Sequence, residues 1–136
     1  MQEEHLFEYA VIRIVPRVER EEFLNVGVVL YCARLRSLRA MFGLDEERLR
    51  AFAPGTDIAE LRSYLSSFER ICTGGRGTGP IGQLPAGERF RWLTATRSTV
   101  VQTSKVHPGL SRDNDKMLQR LFAELVEHKI PADTIR

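Results

Sequence analysis

Two long apolar runs near the N-terminus dominate the pattern of hydrophobic and polar positions along the chain. The first spans residues 7–15, and the second spans residues 22–33 after a charged lead-in. Apolar side chains fall on both faces of the first run, and β-branched residues dominate the second, as is typical of strands in the interior of a sheet. We therefore predict two adjacent antiparallel strands, residues 7–15 and 26–33, that helices must cover.

Two shorter segments complete the predicted sheet. A tight turn after Ala33 leads into a third strand that ends at Phe42, and a fourth strand spans residues 96–103. Pro16 ends the first strand, because proline cannot donate a hydrogen bond to a neighbouring strand. Gly27 lies inside the second strand, which indicates either a bulge or a close approach by another side chain or backbone.

Helical spacing of apolar residues accounts for most of the remaining chain. Residues 57–72 repeat apolar positions every three or four residues, and residues 113–128 carry a continuous apolar stripe with acidic groups first and basic groups last. Shorter helices are predicted over residues 45–52 and 86–93. The predicted fold class is α+β, a mainly antiparallel sheet of about four strands covered by two longer helices.

Residues 73–87 contain the densest run of glycines in the chain. Glycines allow backbone amides to converge on an anion, but no Gly-Lys-Ser/Thr sequence is present, and a helix rather than a strand precedes the run. A linker or lid is therefore the preferred interpretation. We expect a single domain over residues 1–136, in which residues 73–87 form a flexible loop.

Composition places the chain among ordinary globular proteins and weighs against several partners. The hydrophobic fraction of 43% and charged fraction of 28% argue against disorder. The net charge of +2 is low for a nucleic-acid binder. A solvated face is the preferred interpretation of Arg34, Arg36 and Arg39, and a surface that binds an anion or nucleic acid is the alternative. No apolar run approaches the roughly 20 residues that cross a bilayer. We expect no membrane partner and a cytoplasmic location.

The sequence offers little that suggests catalysis or metal binding. Cys32 and Cys72 lie in a predicted strand and a predicted helix without a Cys-x-x-Cys motif, so we expect buried free thiols and neither a metal nor another cofactor. Among the three histidines, only His107 lies where a strand ends and a loop begins. A nucleophile elbow and a His-x-x-x-His pair are absent from the sequence. No catalytic residue is assigned, and a protein without catalysis is favoured.

Six polar residues are the candidates for ligand binding. Arg13 is a guanidinium among apolar neighbours; it needs an anionic or carbonyl partner if it is buried, and the alternative is an exposed, snorkelling side chain. Asn25 precedes the second strand, where a turn residue is the alternative. The region from Arg97 to His107 is dense in donors and suits an anion or a polar rim, or else an ordinary edge strand. The complete candidate set is Arg13, Asn25, Arg97, Ser98, Gln102 and His107.

Four segments of this chain together resemble a bacterial family catalogued as domain of unknown function 3037. They are residues 7–13 (Phe-Glu-Tyr-Ala-Val-Ile-Arg), 22–30 (Glu-Phe-Leu-Asn-Val-Gly-Val-Val-Leu), 97–104 (Arg-Ser-Thr-Val-Val-Gln-Thr-Ser) and 106–109 (Val-His-Pro-Gly). The resemblance covers nearly the whole chain. It implies a small, free-standing bacterial protein without an established activity, from a family whose members are often encoded beside a HipA-like kinase.

Two functional hypotheses follow from the residues and the resemblance. The first is a non-catalytic accessory module that docks on a protein partner such as a HipA-like kinase. The alternative is a small enzyme or binding protein for an anionic ligand, phosphate or nucleic acid, that uses the Arg97 to His107 region with Arg13. A contiguous apolar patch would favour docking, whereas a cleft that gathers Arg13, Arg97 and His107 would favour the ligand. A homodimer on an uncovered sheet edge is compatible with both hypotheses.

Overall fold

The protein is built on one antiparallel sheet, seen in a computed structural model that describes residues 3–97 and 99–128. Its strands are β1 (His5–Ile14), β2 (Leu24–Cys32), β3 (Ser37–Phe42), β4 (Val101–Thr103) and β5 (His107–Ser111). The spatial order is β3, β2, β1, and then β4 and β5 one after the other along the same edge of β1. The predicted α+β class and antiparallel sheet are confirmed.

Helices cover both faces of this sheet. Within the described ranges they are α1 (Glu46–Phe52), α2 (Ile58–Thr73), α3 (Gly79–Gly82), α4 (Ala86–Thr94) and α5 (Asn114–Leu125), with a 3₁₀ turn at Val18–Arg20. The two long predicted helices are α2, with 16 residues, and α5, with 12. Asp57 and Asp113 start them, because each carboxylate accepts a hydrogen bond from a backbone N–H three residues later, at 3.1 Å.

The sheet separates two hydrophobic clusters because side chains of β1 alternate between its faces. Ile12 and Ile14 belong to the cluster that β1 forms with α2 and α4, whereas Phe7 packs with Leu118 and Phe122 of α5. All five side chains are less than 9% exposed. The apolar character of both faces of the first predicted strand is therefore explained by helices on both sides.

A bulge in β2 sets the register between the two central strands. Arg13 lies opposite Asn25, but the residue before Arg13 lies opposite Gly27, so Val26 is an extra residue on β2. A Cβ on Gly27 would lie 2.7 Å from the carbonyl oxygen of Met41. Both interpretations of Gly27, a bulge and a close backbone approach, are confirmed together. The bulge brings Asn25 beside Arg13.

The edge that follows β1 differs from the sequence prediction. The strand predicted over residues 96–103 is correct only for Val101–Thr103, and the turn predicted at Pro108-Gly109 is wrong because these residues belong to β5. Proline is tolerated in an edge strand. A Cβ on Gly109 would overlap the ring of Phe7 on β1. The Pro-Gly pair therefore lies within an edge strand, where Gly109 leaves room for the Phe7 ring, and it does not reverse the chain.

Ser104 joins β4 and β5 to the sheet where the strand pairing is interrupted. Its backbone N–H donates to the carbonyl oxygen of Val11 at 2.8 Å, and its Oγ accepts from the Val11 N–H at 2.8 Å. The same hydroxyl donates to the carbonyl oxygen of Lys105 at 2.9 Å. Ser104 is 7% exposed, so no bulk water competes for these groups. The side chain thus supplies the acceptor that a regular strand would take from its backbone.

The glycine-rich segment packs against Arg89 of α4. The guanidinium donates to the carbonyl oxygens of Leu84 at 2.8 Å and Ile71 at 2.9 Å, and also to that of Cys72. Gly74 has φ of +73°, and a Cβ there would lie 2.8 Å from the guanidinium. Arg89 therefore joins the end of α2 to the start of α4. Flexibility of residues 73–87 stays a prediction.

Replacing Ser104 with alanine is expected to lower the free energy of unfolding by about 1–3 kcal/mol, because the buried Val11 N–H loses its acceptor. Urea unfolding followed by circular dichroism measures this change. Ser67→Ala, at an exposed position of α2, is the matched control and should be close to neutral. Equal stability of the two variants would contradict the role given to the Ser104 hydroxyl.

Candidate functional site

Arg13, Asn25 and Gln102 form one row across three neighbouring strands. Asn25 on β2 and Gln102 on β4 are the direct partners of Arg13 on β1. Residues directly opposite in antiparallel strands project to the same face of the sheet. Phe7, which packs on α5, shares its alternation with Arg13, so this is the face that α5 covers. The structure thus brings together three of the six sequence candidates.

Arg13 is a half-buried cation without a polar partner. Its Cζ lies 3.9 Å from the centre of the Phe23 ring. Within residues 3–97 and 99–128 its guanidinium makes no hydrogen bond or ion pair, and its Nε is shielded from solvent. Desolvation lowers the pKa of Arg13 below its ordinary value. A buried N–H donor without an acceptor costs about 1–3 kcal/mol of folding free energy, so the buried Nε of Arg13 lowers the stability of the free protein.

The two amides that flank Arg13 are engaged inside the protein. Asn25 donates through Nδ2 to the carbonyl oxygen of Leu125 at 3.1 Å, which ties β2 to the end of α5 and leaves its buried Oδ1 without a donor. Gln102 donates through Nε2 to the carbonyl oxygen of Thr99 at 2.7 Å. Asn25 therefore fixes a helix to the sheet, and Arg13 is the member of the row that can accept an external anion.

The remaining candidates lie among other neighbours. The Arg97 guanidinium lies 3.8 Å above the Trp92 ring and donates to the Trp92 carbonyl oxygen. His107 lies opposite Tyr9 in register, and the centres of their rings are 5.3 Å apart. Ser98 falls outside the described residues. Arg13, Arg97 and His107 thus each contact a different aromatic ring, that of Phe23, Trp92 or Tyr9.

Phe23 is the member of this surface that sequence reasoning missed. It follows a charged segment at the start of the second apolar run and precedes β2; its ring lies beneath the Arg13 guanidinium, and the residue is 44% exposed. In the sequence, the sign of this contact was an aromatic residue directly after a charged segment.

A separate apolar pair, Leu6 and Leu110, faces outward across β1 and β5 with 61% and 60% exposure. This pair is separate from the row of Arg13, Asn25 and Gln102.

Other chemistry predicted from the sequence can be located in the structure. Cys32 and Cys72 are buried free thiols, as predicted, and desolvation raises the pKa of Cys72 to about 12. In the part of the chain that the structure describes, no three His, Cys, Asp or Glu side chains are grouped to hold a metal ion. No helix of that part has the length and apolar character needed to cross a bilayer.

The fold and this row define a small α+β protein whose sheet presents a half-buried, unpaired cation beside an exposed aromatic ring. A family model described as "Protein of unknown function (DUF3037)" matches residues 9–126. The chain belongs to this family, which confirms the resemblance inferred from the sequence. No curated protein and no solved structure gives a significant match to the chain.

Replacing Arg13 with methionine is expected to stabilise the isolated protein. Methionine keeps an apolar contact with the Phe23 ring and removes a charge that has no acceptor, so the free energy of unfolding should rise by about 1 kcal/mol. Urea unfolding measures the change.

The matched control for this stability measurement is Arg39→Met. Arg39 donates to Asp115 at 2.6 Å on the exposed surface, so its loss should leave stability nearly unchanged or slightly lower. Destabilisation of Arg13→Met relative to this control would show that the Arg13 guanidinium is already satisfied in the free protein.

Proposed function

We propose that this protein is a non-catalytic binding module that docks on a protein partner through Arg13 and Phe23. The observation that carries the proposal is the half-buried guanidinium, which lies 3.9 Å above an exposed aromatic ring and has no acceptor among the described residues. Arginine and aromatic side chains dominate the energetic centres of protein interfaces. A carboxylate of the partner would supply the hydrogen-bond acceptor that Arg13 lacks in the free protein.

An acidic segment is the partner chemistry that suits this surface. A planar guanidinium pairs with a carboxylate through two parallel hydrogen bonds. Because Arg13 is partly removed from water, an ion pair formed there is screened less by salt than a pair on the open surface. Asn25 and Gln102 are already bound to backbone carbonyls, so they hold the surface in shape without competing for the ligand.

A HipA-like kinase is the first partner to test, because the family resemblance implies such a protein as a frequent genomic neighbour. The proposal places both proteins in the bacterial cytoplasm and gives the present chain an accessory role. Association would then join an acidic segment of the kinase to the surface of Arg13 and Phe23. A homodimer through the outer edge of β5 is a separate prediction that the same experiment measures.

A second candidate function is binding of a free anionic ligand, phosphate or nucleic acid, through the region from Arg97 to His107. The observation that favours it is the stacking of Arg97 on the ring of Trp92, a residue that is 38% exposed. An arginine beside an exposed aromatic ring is a surface on which a nucleic-acid base can stack. This candidate depends on Arg97 and Trp92, whereas docking depends on Arg13 and Phe23.

Co-expression of the tagged protein with its neighbouring kinase, followed by pull-down and size-exclusion chromatography with light scattering, tests docking. Wild type should form a stable complex, and Arg13→Met should bind at least about tenfold more weakly, as expected for an energetically central arginine. Arg91→Met is the matched control, because Arg91 is exposed on α4 and makes no hydrogen bond or ion pair with described residues. It should bind like wild type.

Two outcomes of this experiment would count against the proposal in different ways. Wild-type retention of the kinase by Arg13→Met would remove Arg13 from the interface. Failure of the wild-type pair to associate at micromolar concentration would exclude the kinase as the partner. Light scattering of the protein alone reports whether a homodimer forms.

A further inference from the structure

A cavity of about 630 Å³ lies between the β1–β2 connection and the α1–α2 connection, on the side of the sheet that α2 covers. Its volume falls within the 300–1,000 Å³ range that is typical of small-molecule sites. Pro16, Leu61 and Val100 provide apolar lining, and the rings of Phe52 and Tyr64 line it as well. None of these residues belongs to the surface of Arg13 and Phe23.

The two aromatic residues that line this cavity are both partly exposed to solvent. Phe52, the last residue of α1, is 37% exposed, and Tyr64 on α2 is 45% exposed. In the described structure neither ring stacks on another ring or lies beneath a cationic side chain. The Tyr64 hydroxyl donates to Glu60 Oε1 at 2.8 Å, which orients the ring. Exposed ring faces attract cations through their quadrupole.

The charges around the cavity leave a negative balance. Arg17 and Arg20 both line it, but each is paired with the carboxylate two residues later in the chain. Asp57 and Glu60, in the first turns of α2, also line it and have no Lys or Arg partner among the described residues. The dipole at the start of α2 offsets only about half of one charge. At least one negative charge therefore remains uncompensated beside the two rings.

We propose that this cavity binds an organic cation, a ligand with an ammonium or guanidinium group held over Phe52 and Tyr64 and paired with Glu60 or Asp57. Rings and carboxylates act together here, because each favours a cation and the resident arginines are already neutralised. The site is independent of the docking proposal, in which Arg13 takes a group of opposite charge. A free amine and a lysine or arginine side chain share this chemistry.

A series of benzyl compounds that differ in charge tests the inference on the full, unmodified chain. Benzyltrimethylammonium, benzyl alcohol and benzoate are titrated separately while backbone amide shifts are followed by nuclear magnetic resonance. The cation should give saturable shifts in residues 52–64 and bind at least about tenfold more tightly than the other two. Equal binding of benzyl alcohol or benzoate, or an absence of shifts in residues 52–64, would overturn the proposal.

Two variants then test separately the carboxylate and the aromatic ring that would contact the cation. Glu60→Gln keeps an acceptor for the Tyr64 hydroxyl but removes the charge, and Phe52→Leu removes the ring; each should weaken binding about threefold to fivefold. Glu47→Gln, on the exposed side of α1 and outside the cavity, is the matched control and should bind like wild type. Wild-type affinity in both test variants would also overturn the proposal.

A tetralysine peptide and agmatine, titrated in the same way, distinguish the two sources of the cation. Tighter binding of agmatine indicates a free amine, and tighter binding of the peptide indicates a side chain of a protein. Either result requires shifts in residues 52–64, so failure of both to shift these residues contradicts the site. Failure of this site would leave the docking proposal untouched, because the docking experiment depends on Arg13 and not on residues 52–64.

Discussion

The fold depends on β1, a strand that pairs along both edges and packs on both faces. β2 lies on one side, and β4 with β5 lies on the other. Helices α2 and α4 close one face, and α5 closes the opposite face. Such a strand tolerates few polar side chains, because each must find a partner inside the protein. Arg13, near the end of β1, is half-buried and makes no hydrogen bond or ion pair with described residues, and the proposed docking surface is built on it.

The polar row shows how fold and function are coupled. The β2 bulge at Val26 places Asn25 opposite Arg13, and Asn25 in turn holds the end of α5 through the Leu125 carbonyl. The elements that build the core therefore also fix the surroundings of the cation. A side chain that lowers the stability of the free protein is most simply retained because a partner supplies its missing hydrogen-bond acceptor. The cavity beside Tyr64 has the opposite electrostatic preference, so the molecule presents two chemically distinct surfaces.

Much of the fold could be predicted because local patterns and tertiary packing agree. The apolar runs of β1 and β2 and the capped stripes of α2 and α5 all persist in the structure. The exceptions have tertiary causes. β5 was missed because Pro108-Gly109 is typical of a turn, and only the ring of Phe7 shows why glycine is needed there. The row of Arg13, Asn25 and Gln102 could not be predicted, because it depends on a strand register that the bulge shifts by one residue. The contact between the Phe23 ring and Arg13 could not be predicted from the spacing of residues in the sequence either.

Rotation of the Arg13 guanidinium, measured with and without a partner, shows whether an external carboxylate pairs with it. Side-chain ¹⁵N nuclear magnetic resonance follows rotation of the guanidinium, which a two-point hydrogen bond to a carboxylate slows. We expect freely averaged Nη signals for Arg13 in the isolated protein and resolved signals from a slowly rotating guanidinium once the kinase partner is added. Resolved signals already present in the isolated protein, or averaged signals that persist in a formed complex, would show that Arg13 does not await a carboxylate from a partner.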